Sequence, residues 1–348
     1  MRAAVYYGNR QLSIEDVPEP SVVEGHVKVE VSRNGICGTD LHEYYDGPIF
    51  ISPSDPHPLT GKAMPVVMGH EFSGVVTEVG AGVTDVNEGD NVTIEPIYKC
   101  GKCRPCRTGH YNVCQSIGFH GLMADGGMAE YTVVPRDQVH HLPDSVSLEM
   151  GALVEPMSVA YHAAALAEVN DQSRALVYGA GPIGIGLWFA LRGMGLTDID
   201  VVEPSPIRRA SIEALGARTL DPTTQDVAGL IDEATHGDGV DAAFDAAGVP
   251  ASVESATACL GERRPLISVA IYDKPVLTPL INLVLKERRI QGTLCYTAED
   301  YKAVIDLMAQ GHYDTTGWVD TIPLSGVVAG LEELRAGRRM KLLVDPTA

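Results

Sequence analysis

The sequence lacks the features that mark secreted, membrane-spanning and nucleic-acid-binding proteins. Met1 and Arg2 lead directly into a strand-like run without a long apolar region, so we expect no signal peptide. The sequence contains no apolar run of about 18 residues, so we predict no transmembrane helix. Only 26 Lys and Arg oppose 46 Asp and Glu, and the net charge of −20 argues against nucleic acid or anionic membrane as a partner.

Cysteine is present, but without the signal that accompanies disulfide-stabilised secreted proteins. Seven cysteines in such a chain indicate a reducing compartment, and we interpret the protein as cytoplasmic. The length of 348 residues predicts two domains, because single hydrophobic cores stop growing at roughly 250–300 residues.

The first 150 residues have the pattern of an irregular antiparallel β domain. Residues 27–31 alternate with period two, and residues 72–79 and 91–94 are also strand-like. Residues 46–65 contain five prolines and are interpreted as a long surface loop.

Residues 35–42 collect chemically active side chains in one short stretch. Cys37 can ligate zinc as a thiolate, the Thr39 hydroxyl can pass a proton, and the His42 imidazole can receive it near neutral pH. A surface turn with a buried cysteine is an equally good interpretation of this stretch alone.

Three further residues extend this candidate site. His70 and Glu71, at the head of a strand, are most often structural when found alone, but after Cys37 they add a nitrogen ligand and a carboxylate. Glu155 interrupts an apolar run, where a carboxylate is costly unless it is paired or binds a metal. An ordinary helix start before Pro156 explains Glu155 equally well.

A cluster of four cysteines is far more specific. Their spacing, C-x2-C-x2-C-x7-C in a loop without a core of its own, predicts a structural Zn²⁺ site. A redox pair needs only two cysteines, and the bacterial iron–sulfur pattern expects a closer fourth cysteine followed by proline. Cys259 and Cys295 are isolated and are interpreted as buried bystanders. The four predicted ligands are Cys100, Cys103, Cys106 and Cys114.

A dinucleotide-binding fingerprint follows a buried strand at residues 175–178. The loop reads Gly179-Ala180-Gly181-Pro182-Ile183-Gly184 and opens a helix, whose N-terminus attracts anionic phosphates. Glu203 ends the next strand and should accept hydrogen bonds from the adenosine ribose, which favours NAD over NADP. Arg208 and Arg209 weaken this preference, because a nearby arginine can bind a 2′-phosphate.

Alternating strands and helices continue to about residue 295 and predict a doubly wound parallel sheet. We assign residues 157–295 to an NAD-binding Rossmann domain. Residues 1–156 and 296–348 form the catalytic domain, to which strand-like residues 341–344 return.

These motifs together resemble the zinc-containing medium-chain alcohol and polyol dehydrogenases over nearly the whole chain. The resemblance implies an α/β protein with a GroES-like domain, a Rossmann domain, an active site in the cleft between them, and dimers or tetramers. It also implies two zinc ions, NAD and a small alcohol substrate. Cys37, His70 and a carboxylate hold the catalytic zinc, by preference Glu155 rather than Glu71, and both carboxylates can exchange as ligands during turnover.

Further roles follow from the same resemblance. Thr39 takes the substrate proton, which leaves through His42, and Asp40 orients His70. The long insertion within residues 42–61 is most similar to 2,3-butanediol (acetoin) dehydrogenases. Sorbitol, threonine and glycerol dehydrogenases are the enzymatic alternatives, and a non-catalytic NAD-binding regulator is the alternative of another class. Phe119 and Tyr45 are candidates for the pocket wall, although a core role is the simpler interpretation.

Overall fold

The structure is a computed structural model that describes residues 1–272, 274–278 and 280–348. The chain divides into two compact units. The first unit contains Met1–Glu155, Thr297–Ala309 and Trp318–Ala348, and the second contains Pro156–Tyr296 and Gln310–Gly317.

Strands dominate the first unit and alternate with helices in the second. The strands are β1 (Arg2–Gly8), β2 (Gln11–Asp16), β3 (His26–Gly35), β4 (Val66–Val67), β5 (Glu71–Val79), β6 (Asn91–Ile94), β7 (Ile97–Tyr98), β8 (Gly118–Phe119), β9 (Tyr131–Pro135), β10 (Val139–His141), β11 (Arg174–Tyr178), β12 (Asp198–Val202), β13 (Arg218–Leu220), β14 (Ala242–Asp245), β15 (Pro265–Ser268), β16 (Arg289–Gly292), β17 (Val319–Pro323) and β18 (Lys341–Asp345).

The helices are short, and several begin with proline in the first turn. They are α1 (Gly38–Asp46), α2 (Arg104–Arg107), α3 (Leu148–Gly151), α4 (Val154–Ala165), α5 (Pro182–Gly193), α6 (Pro206–Ala214), α7 (Val227–Ala234), α8 (Pro250–Cys259), α9 (Leu280–Val284), α10 (Ala298–Ala309) and α11 (Val327–Arg335).

The main sheet of the first unit is built around β3 and β5. Its strands follow the order β10-β6-β5-β3-β18-β17, with β9 also paired to β3. Alternating valines of β3 are fully buried in an apolar core with Phe72 and Ile94, as a half-buried strand requires. Strand β18 lies antiparallel to β3 and so joins this sheet.

The second unit contains the predicted doubly wound sheet. Six parallel strands follow the order β13-β12-β11-β14-β15-β16, in which the order reverses beside β11. This is the strand order of a dinucleotide-binding fold, whose ligand lies at the carboxyl ends of the strands where the order reverses. The predicted α/β fold class is confirmed.

One prediction about the two isolated cysteines was wrong. Cys259 is buried as expected, but Cys295 is only half-buried, so it is not a core residue. The predicted loop at residues 46–65 contains no strand, and helix α1 ends at its first residue.

Among the described residues, no helix has the length and apolar character needed to cross a membrane.

Candidate metal centres and dinucleotide site

Cys37 stands at the start of helix α1, where the backbone changes from strand to helix. Its backbone N–H donates to Asp40 Oδ2 at 2.9 Å, so a carboxylate in the first helical turn fixes the turn that carries the thiol. Asp40 is fully buried, whereas Cys37, Thr39 and His42 are half-buried. Thr39 and His42 lie three residues apart on this helix, a spacing that places both on one face.

The pairing of β3 with β5 brings a second ligand group to Cys37. Gly35, two residues before Cys37, pairs with Glu71, and His70 immediately precedes Glu71. One ligand atom each from Cys37, His70 and Glu71 lies within 4.8 Å of the others. A thiolate, an imidazole and a carboxylate at this separation suit a divalent transition metal.

His70 Nδ1 faces the carboxylate of Asp40. The distance from His70 Nδ1 to Asp40 Oδ1 is 3.5 Å, and neither atom has a hydrogen-bond partner within the described part of the chain. A small movement would bring these two buried atoms within hydrogen-bond distance. A metal bound to the other ring nitrogen of His70 would favour that hydrogen bond. The arrangement therefore fits the prediction that Asp40 orients the His70 ring.

The sequence reasoning missed Lys341. Its side chain is 3% exposed and forms an ion pair with Oε2 of Glu71, whose side chain is 1% exposed. Lys341 Nζ also donates to the carbonyl of Ile36 at 3.0 Å. The sequence did contain a signal for it, namely a lysine at the start of an otherwise apolar terminal strand. A lysine is rarely buried without a partner, so a partner could have been sought.

Acidic groups in the site stabilise positive charge, as the pKa values of His70 and Lys341 show. Burial opposes the charged form of His70, but Asp40, Cys37 and Glu155 outweigh it and hold the pKa of His70 well above its usual value. Burial likewise opposes the charge of Lys341, yet Glu71, Cys37 and Glu155 raise the pKa of this lysine. The residues present therefore fit a doubly charged metal ion.

Glu155 lies in the first turn of α4 and is buried, at 6% exposure. It does not join the cluster in which the Cys37, His70 and Glu71 ligand atoms lie within 4.8 Å of one another. Its charge nevertheless acts on both His70 and Lys341. The preference for Glu155 as the resting ligand stays a prediction, because Glu71 is the carboxylate that this structure brings to the cluster.

The predicted pocket residues Phe119 and Tyr45 pack against the buried core of the first unit. The Arg335 guanidinium lies 3.9 Å from the centroid of the Tyr45 ring. A packing role therefore accounts for both residues.

The four clustered cysteines converge in the loop around α2. The Sγ atom of Cys103 lies 3.4 Å from that of Cys106 and 3.8 Å from that of Cys114, and the Sγ atoms of Cys100 and Cys106 are 4.0 Å apart. Sulfurs at tetrahedral corners about 2.3 Å from zinc are about 3.8 Å apart. The observed separations match that geometry, so these residues fit a structural zinc ion.

The glycine-rich loop connects β11 to α5. Gly179 has φ +97, a conformation that side chains rarely adopt, and a Cβ on Gly184 would lie 1.8 Å from the Gly179 carbonyl oxygen. A Cβ on Gly181 would meet only open space, so the backbone there is free for close approach by a ligand. Pro182 and Ile183 begin the helix and direct its N-terminus at this space.

Glu203 braces this loop from the end of β12. The carboxylate is 3% exposed and accepts hydrogen bonds from the backbone N–H groups of Ala180 and Ser205, both at 2.8 Å. Arg209 is engaged in an ion pair with Asp221 at 2.9 Å, while Arg208 is half-buried in the first turn of α6. Of the two arginines, Arg208 is therefore the better candidate to approach a nucleotide.

Comparison with known proteins agrees with this geometry. Residues 23–144 match the alcohol dehydrogenase GroES-like domain, and residues 182–310 match the zinc-binding dehydrogenase family. The (R,R)-butanediol dehydrogenase of Bacillus subtilis (strain 168) is 42% identical over 315 residues, which cover 90% of this chain and 89% of that protein.

Solved structures extend the likeness over almost the whole chain. The crystal structure of 2R,3R-butanediol dehydrogenase from Bacillus subtilis has a TM-score of 0.94 and 39% identity, with 99% of each chain covered. An alcohol dehydrogenase from E. coli CFT073, complexed with NADH, has a TM-score of 0.88 and 26% identity, with 99% of each chain covered.

These findings confirm the predicted resemblance, the enzyme class and the predicted use of zinc and NAD as cofactors. The chain belongs to the zinc-binding, medium-chain alcohol dehydrogenase family.

Proposed function

We propose that this protein is a zinc- and NAD-dependent dehydrogenase that interconverts 2,3-butanediol and acetoin. The observation that carries the proposal is the cluster of Cys37, His70 and Glu71, whose ligand atoms lie within 4.8 Å of one another close in sequence to Thr39. The butanediol specificity is supported by the activity named for the Bacillus subtilis relative. A vicinal diol or hydroxyketone also suits a site that combines metal-ligating and polar side chains.

In the proposed active site, Cys37, His70 and Glu155 hold the catalytic zinc. When bound, zinc polarises the substrate hydroxyl as a Lewis acid, and NAD⁺ accepts the hydride. Asp40 orients the ring of His70, which is consistent with the 3.5 Å separation of their facing atoms. Glu71 is the alternative third ligand and remains paired with Lys341.

Thr39 and His42 move the proton that the substrate loses. Thr39 lies two residues after Cys37, so its hydroxyl could accept the proton of an alcohol bound beside Cys37 while it passes its own proton on. His42 lies three residues further on the same helix, where side chains are roughly 5–6 Å apart at Cβ, so its imidazole would receive the proton that Thr39 passes on.

The remaining cofactor sites are assigned to separate parts of the chain. Cys100, Cys103, Cys106 and Cys114 hold the structural zinc. The loop from Gly179 to Gly184 receives the pyrophosphate, and Glu203 binds the adenosine ribose, which gives the preference for NAD. Residues 157–295 act as the nucleotide domain, and residues 1–156 and 296–348 as the catalytic domain.

The assembly is a cytoplasmic homo-oligomer, a dimer or a tetramer. Strand β16 lies at the edge of the six-stranded sheet, where unpaired backbone groups can join a second copy. Five of the described aliphatic side chains within residues 277–285, shortly before β16, are between 57% and 92% exposed, which is unusual for a monomer. They are Leu277, Leu280, Ile281, Val284 and Leu285. Light scattering that gave the mass of one chain at micromolar concentration would contradict this assembly.

A substrate panel tests the proposed function. NADH formation is followed with 2,3-butanediol, sorbitol, L-threonine and glycerol, each with NAD⁺ and with NADP⁺. We expect kcat/KM for 2,3-butanediol with NAD⁺ to exceed the others by about tenfold or more, since a pocket that rejects one wrong group gains roughly that factor. A higher value for sorbitol, threonine or glycerol would assign the enzyme to that branch. Absence of turnover with every substrate would support a non-catalytic nucleotide-binding protein.

A further inference from the structure

Lys341 brings the terminal strand of the chain into the metal site. The strand β18 pairs antiparallel with β3, and Lys341 enters the space beside the end of β3 with its side chain 3% exposed. Its ammonium donates to the Ile36 carbonyl and pairs with Glu71 Oε2. The carbonyl that it binds belongs to the residue immediately before Cys37.

The carboxylate of Glu71 is held in position by contacts on two sides. Lys341 holds Oε2, and a Cβ built on Gly35 would lie only 2.0 Å from that same oxygen. The carboxylate therefore packs directly on bare backbone, in a position that no side chain at residue 35 would allow. At the same time, one ligand atom of Glu71 is within 4.8 Å of those of Cys37 and His70.

Glu71 is thus a carboxylate within reach of a metal but already paired with a cation. A buried carboxylate that loses its cation is strongly destabilised and turns to the nearest positive charge. In this site that charge would be the metal ion. A catalytic zinc has three protein ligands and one open position, so an additional carboxylate ligand would fill the position that the substrate needs.

We propose that Lys341 is a positioning residue that keeps Glu71 from closing the coordination of the catalytic metal. The inference rests on the metal ligands given under the proposed function. Strand β18 then influences the access of substrate to the metal through Glu71, without itself contacting the substrate.

Four proteins test the inference: the unchanged chain, K341M, E71Q and K341M/E71Q. The catalytic zinc is exchanged for Co²⁺, whose visible absorption reports the coordination, and imidazole is titrated as a small ligand that enters an open position. K341R, which keeps the charge, is the matched control for K341M.

We expect K341M to bind imidazole at least about tenfold more weakly than the unchanged chain, because partners of metal ligands typically alter such sites by about 10- to 100-fold. K341R should remain close to the unchanged chain. K341M/E71Q should bind imidazole as E71Q does, within about threefold. The amide that E71Q introduces carries no charge, so the loss of Lys341 does not drive it toward the metal. This comparison separates a positioning role from a packing role. If Lys341 were only a packing residue, the change at residue 71 would not restore the imidazole affinity that K341M loses.

Equal imidazole affinity of K341M and the unchanged chain would overturn the inference. So would a K341M/E71Q protein that binds imidazole at least about tenfold more weakly than E71Q. If K341M does not fold, the comparison of K341M/E71Q with E71Q decides alone, because both carry a neutral side chain at position 71. Failure of the proposed function is distinguishable: with zinc retained by the four cysteines, it would appear as a cobalt–thiolate band that persists unchanged in C37S, whatever residue 341 does.

Discussion

The substitution Glu203→Ala should loosen the glycine-rich loop as well as weaken cofactor binding. The Glu203 carboxylate is 3% exposed and accepts the backbone N–H groups of Ala180 and Ser205 at 2.8 Å. Alanine leaves both donors without their charged acceptor. The loop then loses the brace that joins it to the end of β12.

The size of the effect follows from those two contacts. A hydrogen bond to a charged group contributes about 1.5–3 kcal/mol, and the Ala180 N–H loses one such bond. Because about 1.4 kcal/mol corresponds to a factor of ten, local opening at Ala180 should become roughly 10- to 150-fold more frequent.

Hydrogen exchange followed by mass spectrometry measures this opening directly. Exchange in a peptide covering residues 177–184 should accelerate by that factor in E203A and by less in E203Q, whose amide oxygen can still accept one of the two donors. A peptide from β5 in the first unit serves as the internal control and should exchange at its original rate.

Cofactor affinity gives the second readout of the same variant. Carboxylate oxygens have lone pairs beyond the two already used, so Glu203 can brace the loop and bind the ribose at once. E203A should weaken NAD about tenfold or more, and NADP much less. Unchanged exchange at residues 177–184 would refute the bracing, and equal losses for NAD and NADP would refute the contact with the ribose.

Two further substitutions test separate parts of the site. T39V removes a hydroxyl at nearly constant volume and should lower kcat about 10²- to 10⁴-fold. NAD affinity and metal content should stay unchanged. An unaltered kcat would show that Thr39 is not part of the proton path. C106S should release the structural zinc and open the loop around α2, so that trypsin cleavage after Lys102 and Arg107, both exposed, rises by about tenfold or more. Resistance of C106S to trypsin equal to that of the unchanged chain would show that the loop holds its shape without metal.

The sequence predicted best those features that depend on neighbouring residues. The fingerprint at residues 179–184 was recognisable because turn, helix start and strand end all fall within one short stretch, and the same is true of the four cysteines. The parallel sheet around β11 was predicted from the alternation of strands and helices, although the order of its strands was not. Phe244 and Leu266, which are fully buried in that sheet, belong to apolar runs that any strand pattern would detect.

Features that depend on distant contacts could not be predicted. The Lys341–Glu71 pair joins residues separated by 270 positions, and neither residue signals the other locally. The choice between Glu71 and Glu155 likewise depends on contacts between residues that are far apart in the sequence. Cys295 was misjudged because an isolated cysteine is usually buried, whereas this one follows the edge strand β16 and is half-buried.

Zinc content measured by elemental analysis tests the central claim most directly. We expect two zinc ions per unchanged chain, one in C37S and one in C106S, because each substitution removes a ligand from a different site. Loss of turnover should accompany the missing zinc of C37S. One zinc per unchanged chain, held by the four cysteines alone, or two zinc ions and normal turnover in C37S, would contradict a catalytic metal at Cys37 and His70.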